Sequence, residues 1–207
     1  MKFFFQKYRA FKQASFFVFF CLSFVSSISY ANVGEERPIK KAVINWMGSK
    51  VTGSHDGLVN LKSGYLNFNK TDLVGGEFII DMASIVCTDL TGKGKASLES
   101  HLKSADFFDV GNYPLAKLRI LKAEKKGGEQ EYEIKGEQLY SITGIITVKD
   151  IPQKISFKAN VGKTKATAKF VLDRTLFGII YKSGNFFKEL ADKAINDEFK
   201  MQIQLMY

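Results

Sequence analysis

The residues able to do chemistry in this chain are few and scattered. His55 and His101 are its only histidines, and Cys21 and Cys87 its only cysteines. They form no HExxH, CxxC or paired-histidine spacing, so no metal-ligand set is read from them. A GxSxG nucleophile elbow and a glycine-rich phosphate loop are also missing. No catalytic residue, cofactor or metal is therefore assigned. His55 lies in the turn-rich segment GSHDG, where its ring could hydrogen-bond the neighbouring carboxylate of Asp56. His101, between Ser100 and Leu102 on a predicted helix, reads as a surface or boundary residue. Cys87, within MASIVCTDL, reads as a small buried hydrophobe, with a reactive thiol as the alternative. An enzyme built on His55 is the least supported function class.

The elements that position these residues begin after a targeting signal. Lys2, Lys7, Arg9 and Lys12 form a basic start, and Ala14 to Ser29 carries no charge. Ser29-Tyr30-Ala31 then presents small residues at a cleavage site. Residues 1–31 are read as a signal peptide, 32–40 as a polar leader, and 41–207 as one domain. The uncharged run, broken by serines, is short for a membrane span of about 20 residues. Cleavage leaves about 176 residues, a one-domain length, and lowers the net charge from +9 to about +5. That modest excess, with no cluster of basic and aromatic residues, excludes nucleic acid as a partner class. Only Cys87 remains, so no internal disulfide is available and packing must supply stability.

Period-two alternation dominates the domain. In Lys165–Leu172 the dry positions are Ala166, Ala168, Phe170 and Leu172; in Lys154–Val161 they are Ile155, Phe157, Ala159 and Val161. The last strand alternates Phe199, Met201, Ile203 and Leu205 with polar residues. Further strands are predicted at Ala42–Val51, Gly57–Asn69, Val74–Met82, Ala116–Ala123, Glu131–Gln138 and Ile142–Lys149. Eight or so strands with one dry face argue for an antiparallel sheet, as a sandwich or a closed barrel. Helical spacing marks two interruptions. One is Ser97–Ala105, with Leu98, Leu102 and Ala105 on one face. The other is Phe187–Ala194. The first runs into an aromatic plug, Phe107-Phe108, and stops at Tyr113-Pro114. Asn69-Lys70-Thr71 reads as a turn, as do Lys126-Gly127-Gly128, Asp150 to Pro152 and Gly162-Lys163.

Several ordered segments, GSKVTGSHDG, GGEFIIDMASI, SLESHLKSADFFDVGNYP, ITGIITVKDIPQKISF, DRTLFGI and INDEFKMQIQL, resemble the YceI-like family. The resemblance covers Ala42 to Tyr207. It implies an all-β fold: an extended antiparallel eight-stranded lipocalin-like barrel with one or two short helices and a long apolar tunnel. It further implies a ligand that is a polyisoprenoid, a quinone tail or a fatty amide. By motif position Trp46, Phe78, Phe107, Phe108, Leu118, Phe170 and Phe177 would be tunnel or mouth residues. Arg174 and Asp109 would be polar groups near an opening, Arg174 being better read as a structural ion pair. Asp150 and Pro152 depart from the family's hairpin turn, where glycine and threonine are usual.

The reading that follows is an exported, non-catalytic binding protein, periplasmic or secreted, whose partner is a long-chain isoprenoid or other apolar lipid. Transient contact with a membrane surface and a homodimer are open further partners. The alternative is an envelope interaction or scaffold protein whose barrel is filled.

Overall fold

The computed structural model describes residues 34–127 and 136–207, apart from the side chains of residues 190–192. The predicted signal peptide and most of the predicted strand Glu131–Gln138 lie outside the described residues. Among the described residues nine strands form one antiparallel sheet: β1 (Glu35–Pro38), β2 (Lys41–Lys50), β3 (Gly53–Asn69), β4 (Asp72–Cys87), β5 (Leu115–Lys125), β6 (Gln138–Val148), β7 (Ile151–Val161), β8 (Lys165–Asp173) and β9 (Glu198–Met206). The predicted leader thus contains a strand, β1, which pairs with the far half of β3 while β2 pairs with its near half. The ring runs β3-β2-β9-β8-β7-β6-β5-β4, and β3 pairs again with β4, so eight strands close into a barrel. Closure decides between the two architectures that alternation alone left open.

Local chemistry sets the connections. Lys70, at φ +58°, turns β3 into β4 within the Asn69-Lys70-Thr71 segment. Lys149 and Asp150, at φ +51° and +59°, make a two-residue hairpin between Val148 and Ile151, the left-handed pair that matches strand twist. The departure from glycine therefore leaves the flanking ladder intact. Pro152 pairs with Thr147 on its β6 side. On its other side β7 has no ladder partner there, which is where a residue without an N–H is tolerated.

That missing partner is a feature of the wall. β7 and β8 pair only at Ala159–Ala168, Asn160–Thr167 and Val161–Ala166. Beyond this the seam is closed by side chains: the rings of Phe157 and Phe170 stack with centroids 4.6 Å apart. Past them a 3₁₀ turn, Arg174–Phe177, folds back onto β7, and Gln153 Nε2 donates to the Leu176 carbonyl at 2.9 Å.

The helix α1 spans Gly92–Lys103, starting five residues before the expected boundary. Leu102 is buried, but the chain leaves the helix at Ser104 and Ala105 is exposed. Ser104 caps the end, its Oγ donating to the His101 carbonyl at 2.8 Å. The second predicted helix is a 3₁₀ segment, Lys188–Lys193, and Phe187 before it is exposed rather than packed inward. The chain from Ile179 to Asp197 is held instead by the buried Arg174. Its guanidinium donates to the carbonyls of Ile179, Ile195 and Asn196 and to Asp197 Oδ1 at 3.0 Å. Asp197 Oδ2 also accepts from Ser183 Oγ and Asn185 Nδ2.

At the opposite end the terminal Tyr207 packs on Phe68, centroids 5.5 Å apart, and its phenol donates to the Gly162 carbonyl at 2.6 Å. Burial raises the Tyr207 phenol from 10.0 to about 12. A group whose pKa rises on folding stabilises fully below its unfolded value and loses that contribution as pH climbs through the folded one. Denaturation of the native chain is therefore expected to show stability falling between pH 10 and 12, with a shallower fall in Tyr207→Phe.

Candidate functional site

The barrel is hollow. A cavity of about 350 Å³ runs along its axis, lined by side chains from all eight ring strands and from α1. Small-molecule sites span about 300–1,000 Å³, and a cavity of roughly 150 Å³ already holds a benzene ring. The inner face carries alanines at Ala116, Ala159, Ala166 and Ala168, which are too short to meet across the bore. Larger residues stand between them, including Ile44, Phe157, Phe170 and Phe199.

Polarity along the bore is one-sided. Deep lining residues, among them Leu66, Leu73, Val161 and Leu205, are apolar and lie toward the Tyr207 end. Ser49, Lys50, His55, His101, Arg174 and Asn196 line the other end, where the β2–β3 hairpin, α1 and the Ile195-Asn196 segment meet. Thr167 on β8 is the polar exception along the wall.

Six of the seven residues expected at the tunnel do line the cavity: Trp46, Phe78, Phe107, Phe108, Leu118 and Phe170. Phe177 does not. It is buried in the 3₁₀ turn that follows β8. Trp46 reaches its place because β3 offers it Gly57. A Cβ at Gly57 would stand 1.9 Å from the Val86 carbonyl oxygen and 2.5 Å from the indole ring. The indole Nε1 donates to the Leu58 carbonyl at 3.3 Å. Phe107 and Phe108 are held by backbone bonds into the end of α1, Phe108 N–H donating to the Leu102 carbonyl. Lys149 Nζ donates to the Phe107 carbonyl at 3.1 Å.

His101 is more than a boundary residue. Its ring packs on Tyr181 and Phe107, 4.5 and 5.5 Å between centroids, and its Nε2 is buried without a hydrogen-bond partner. Helical spacing from Leu98 and Leu102 was the signal available for it. Arg174 lines the cavity but also makes the ion pair expected of it, with Asp197. Asp109 does not reach the cavity lining. It adopts φ +48°, and its carboxylate accepts from Asn112 Nδ2 at 3.0 Å, closing the turn that leads to Pro114.

The partner of His55 is not Asp56. Its Nδ1 meets Asp89 Oδ2 at 2.9 Å, while Asp56 takes Thr88 Oγ1. Neighbours along a strand point to opposite faces, so the partner comes from across the ladder. Bonds from Cys87 and His55 hold the Asp89 carboxyl at about 2. Cys87 is fully buried, as expected for a small hydrophobe, and burial pushes its thiol up.

The YceI-like domain model matches residues 30–207. The chain belongs to the YceI-like family. Solved structures similar to this YceI-like chain include BcnA of Burkholderia cenocepacia, at TM-score 0.61 and 17% identity, covering 80% of this chain and 96% of that one. A polyisoprenoid-binding domain from Saccharophagus degradans aligns at TM-score 0.58 and 12% identity, over 84% and 98% of the two chains. The YCEI protein of Campylobacter jejuni aligns at 0.52 and 17%, over 72% and 82%. At such identities the likeness is one of fold. No curated protein sequence matches the chain.

Two substitutions test this account of the YceI-like barrel. Gly57→Ala forces backbone or the Trp46 ring to move and is expected to destabilise by about 1–3 kcal/mol, measured by chemical denaturation. Asp197→Ala leaves the Arg174 guanidinium buried without its counter-ion, for a loss of about 3–5 kcal/mol in the same measurement.

Proposed function

We propose that this protein is an exported, non-catalytic binding protein that holds a long apolar lipid in the barrel. The ligand class is a polyisoprenoid, a quinone tail or a fatty amide, and no bond is made or broken. The observation that carries this reading is the bore itself: a long apolar cavity with polar groups gathered at one end. That arrangement suits an amphiphile whose tail lies deep and whose polar end stays at the mouth. Each buried methylene contributes about 0.8 kcal/mol, so a chain of about 20 carbons grosses roughly 16 kcal/mol before association and ordering costs are subtracted. A scaffold role for a filled barrel is disfavoured, because the centre is open.

Export rests on the basic and apolar start of the sequence, which we read as a signal peptide cleaved after Ala31. Family membership agrees with a periplasmic location. Among the described residues no helix is long and apolar enough to cross a membrane. The segment beside the mouth exposes Leu176 and Phe186, 52% and 56% accessible, close in sequence to Lys182 and Lys188. Apolar side chains mixed with lysines suit brief contact with an anionic membrane surface, from which a lipid could be taken up.

Organic extraction of protein purified from bacteria, followed by mass spectrometry, is expected to return a long-chain apolar lipid near one per chain. Repeated extraction of none would count against the proposal. Ala168→Trp places an indole in the bore and is expected to abolish copurification while leaving the circular dichroism spectrum unchanged.

A further inference from the structure

Beside the mouth, the β3–β4 ladder brings together three donors of different chemistry. Cys87, the last residue of β4, pairs with Gly57, and the Thr88 N–H donates to the Asp56 carbonyl at 2.9 Å, carrying the ladder one step further. Asp89 then folds over His55. Its two carboxylate oxygens divide the work: Oδ2 meets His55 Nδ1 at 2.9 Å and Oδ1 accepts from Cys87 Sγ at 2.9 Å. The imidazole nitrogen, the sulfur and a carboxylate oxygen all lie within 4.8 Å of one another. We propose that His55, Cys87 and Asp89 form a binding site for a borderline-soft divalent metal ion of the zinc class.

The donor set is the mixed nitrogen, sulfur and oxygen set that such ions take, and three protein ligands leave a fourth position for water. Around one tetrahedral ion, with bonds of about 2.0–2.3 Å, neighbouring donors stand roughly 3.5 Å apart. Binding therefore opens the two hydrogen bonds to Asp89 by roughly half an ångström, with the ion replacing the protons that now bridge them. The exchange balances in two steps. Cys87 gives its thiol proton to solvent and binds as thiolate; the His55 Nδ1 proton that bridges to Asp89 passes by way of solvent to Nε2, so that the ring binds through Nδ1.

The surroundings suit a cation. The side chains of His55 and Asp89 are 37% and 29% exposed, so solvent reaches the site, while Cys87 at 0% seals its inner side. Outer contacts hold the ligands in place. The Asp56 N–H donates to Asp89 Oδ1 at 3.3 Å, and the Cys87 N–H donates to Glu99 Oε1 of α1 at 2.8 Å. The carboxylates of Asp56, Asp89 and Glu99 are bonded at this corner, and the Lys95 ammonium is paired with Glu99 at 3.8 Å. The site does not depend on a lipid in the bore.

Titration of the chelator-treated full chain with Co²⁺ tests it. One ion per chain is expected, with a thiolate-to-cobalt charge-transfer band that Zn²⁺ displaces. His55→Ala and Asp89→Asn, at partly exposed positions that the fold tolerates, should each weaken the affinity at least about tenfold. Cys87→Ser should remove the band, with circular dichroism confirming that each variant is folded. No charge-transfer band at saturating cobalt overturns the proposal. So does a band that persists in His55→Ala with unchanged affinity, since the thiolate would then bind cobalt without this constellation.

Discussion

Closure of the sheet is the constraint on which the rest depends. β3 is held on one side by β1 and β2 and on the other by β4, so the eight-stranded ring has no free end. Closure removes sheet edges, and most of the wall's backbone groups find partners in the neighbouring strand. The interior is then relieved of any role in satisfying the backbone. Most protein cores pack at the density of organic crystals, yet this one carries alanines where large side chains would meet. The deficit of dispersion contacts around the bore is what an apolar guest would remove.

The two ends of the ring are built differently. One is stopped by aromatic packing, with Phe68 against Tyr207 and the Tyr140 hydroxyl accepting from the Leu73 N–H. The other is a frame of irregular chain, tied down by the buried guanidinium of Arg174 and covered in part by α1 and the Phe107-Phe108 plug. All but one of the polar lining residues sit at this end, on the β2–β3 hairpin, on α1 and in the frame itself. The asymmetry gives the bore a direction, apolar toward the Tyr207 end and polar at the other. The β7–β8 seam adds a second distinction, because over part of its length stacked phenylalanine rings replace hydrogen bonds. A wall closed by rotamers is softer than one closed by a ladder.

The corner holding His55, Cys87 and Asp89 follows from the same register. Gly57 permits the close approach of β4 to β3 and of Trp46 to both. The pairing of Gly57 with Cys87 then sets His55 opposite the residues that follow β4. A single glycine thus shapes the packed tunnel wall and the polar corner beside it.

Alternation in β7, β8 and β9 was legible because period two is a property of neighbouring residues. It assigned Phe157, Phe170, Phe199 and their partners to the inner face without reference to the rest of the chain. The motif around Leu98 to Pro114 likewise announced a helix and an aromatic plug. What local patterning could not decide was anything set by register between distant strands. That includes the closed ring, the seam, and Asp89 rather than Asp56 as the partner of His55. It also includes Phe177, which motif position assigns to the tunnel and which the turn after β8 buries away from the cavity lining. Hydrophobicity records that a side chain leaves water; only the closed backbone decides which side of the wall it occupies.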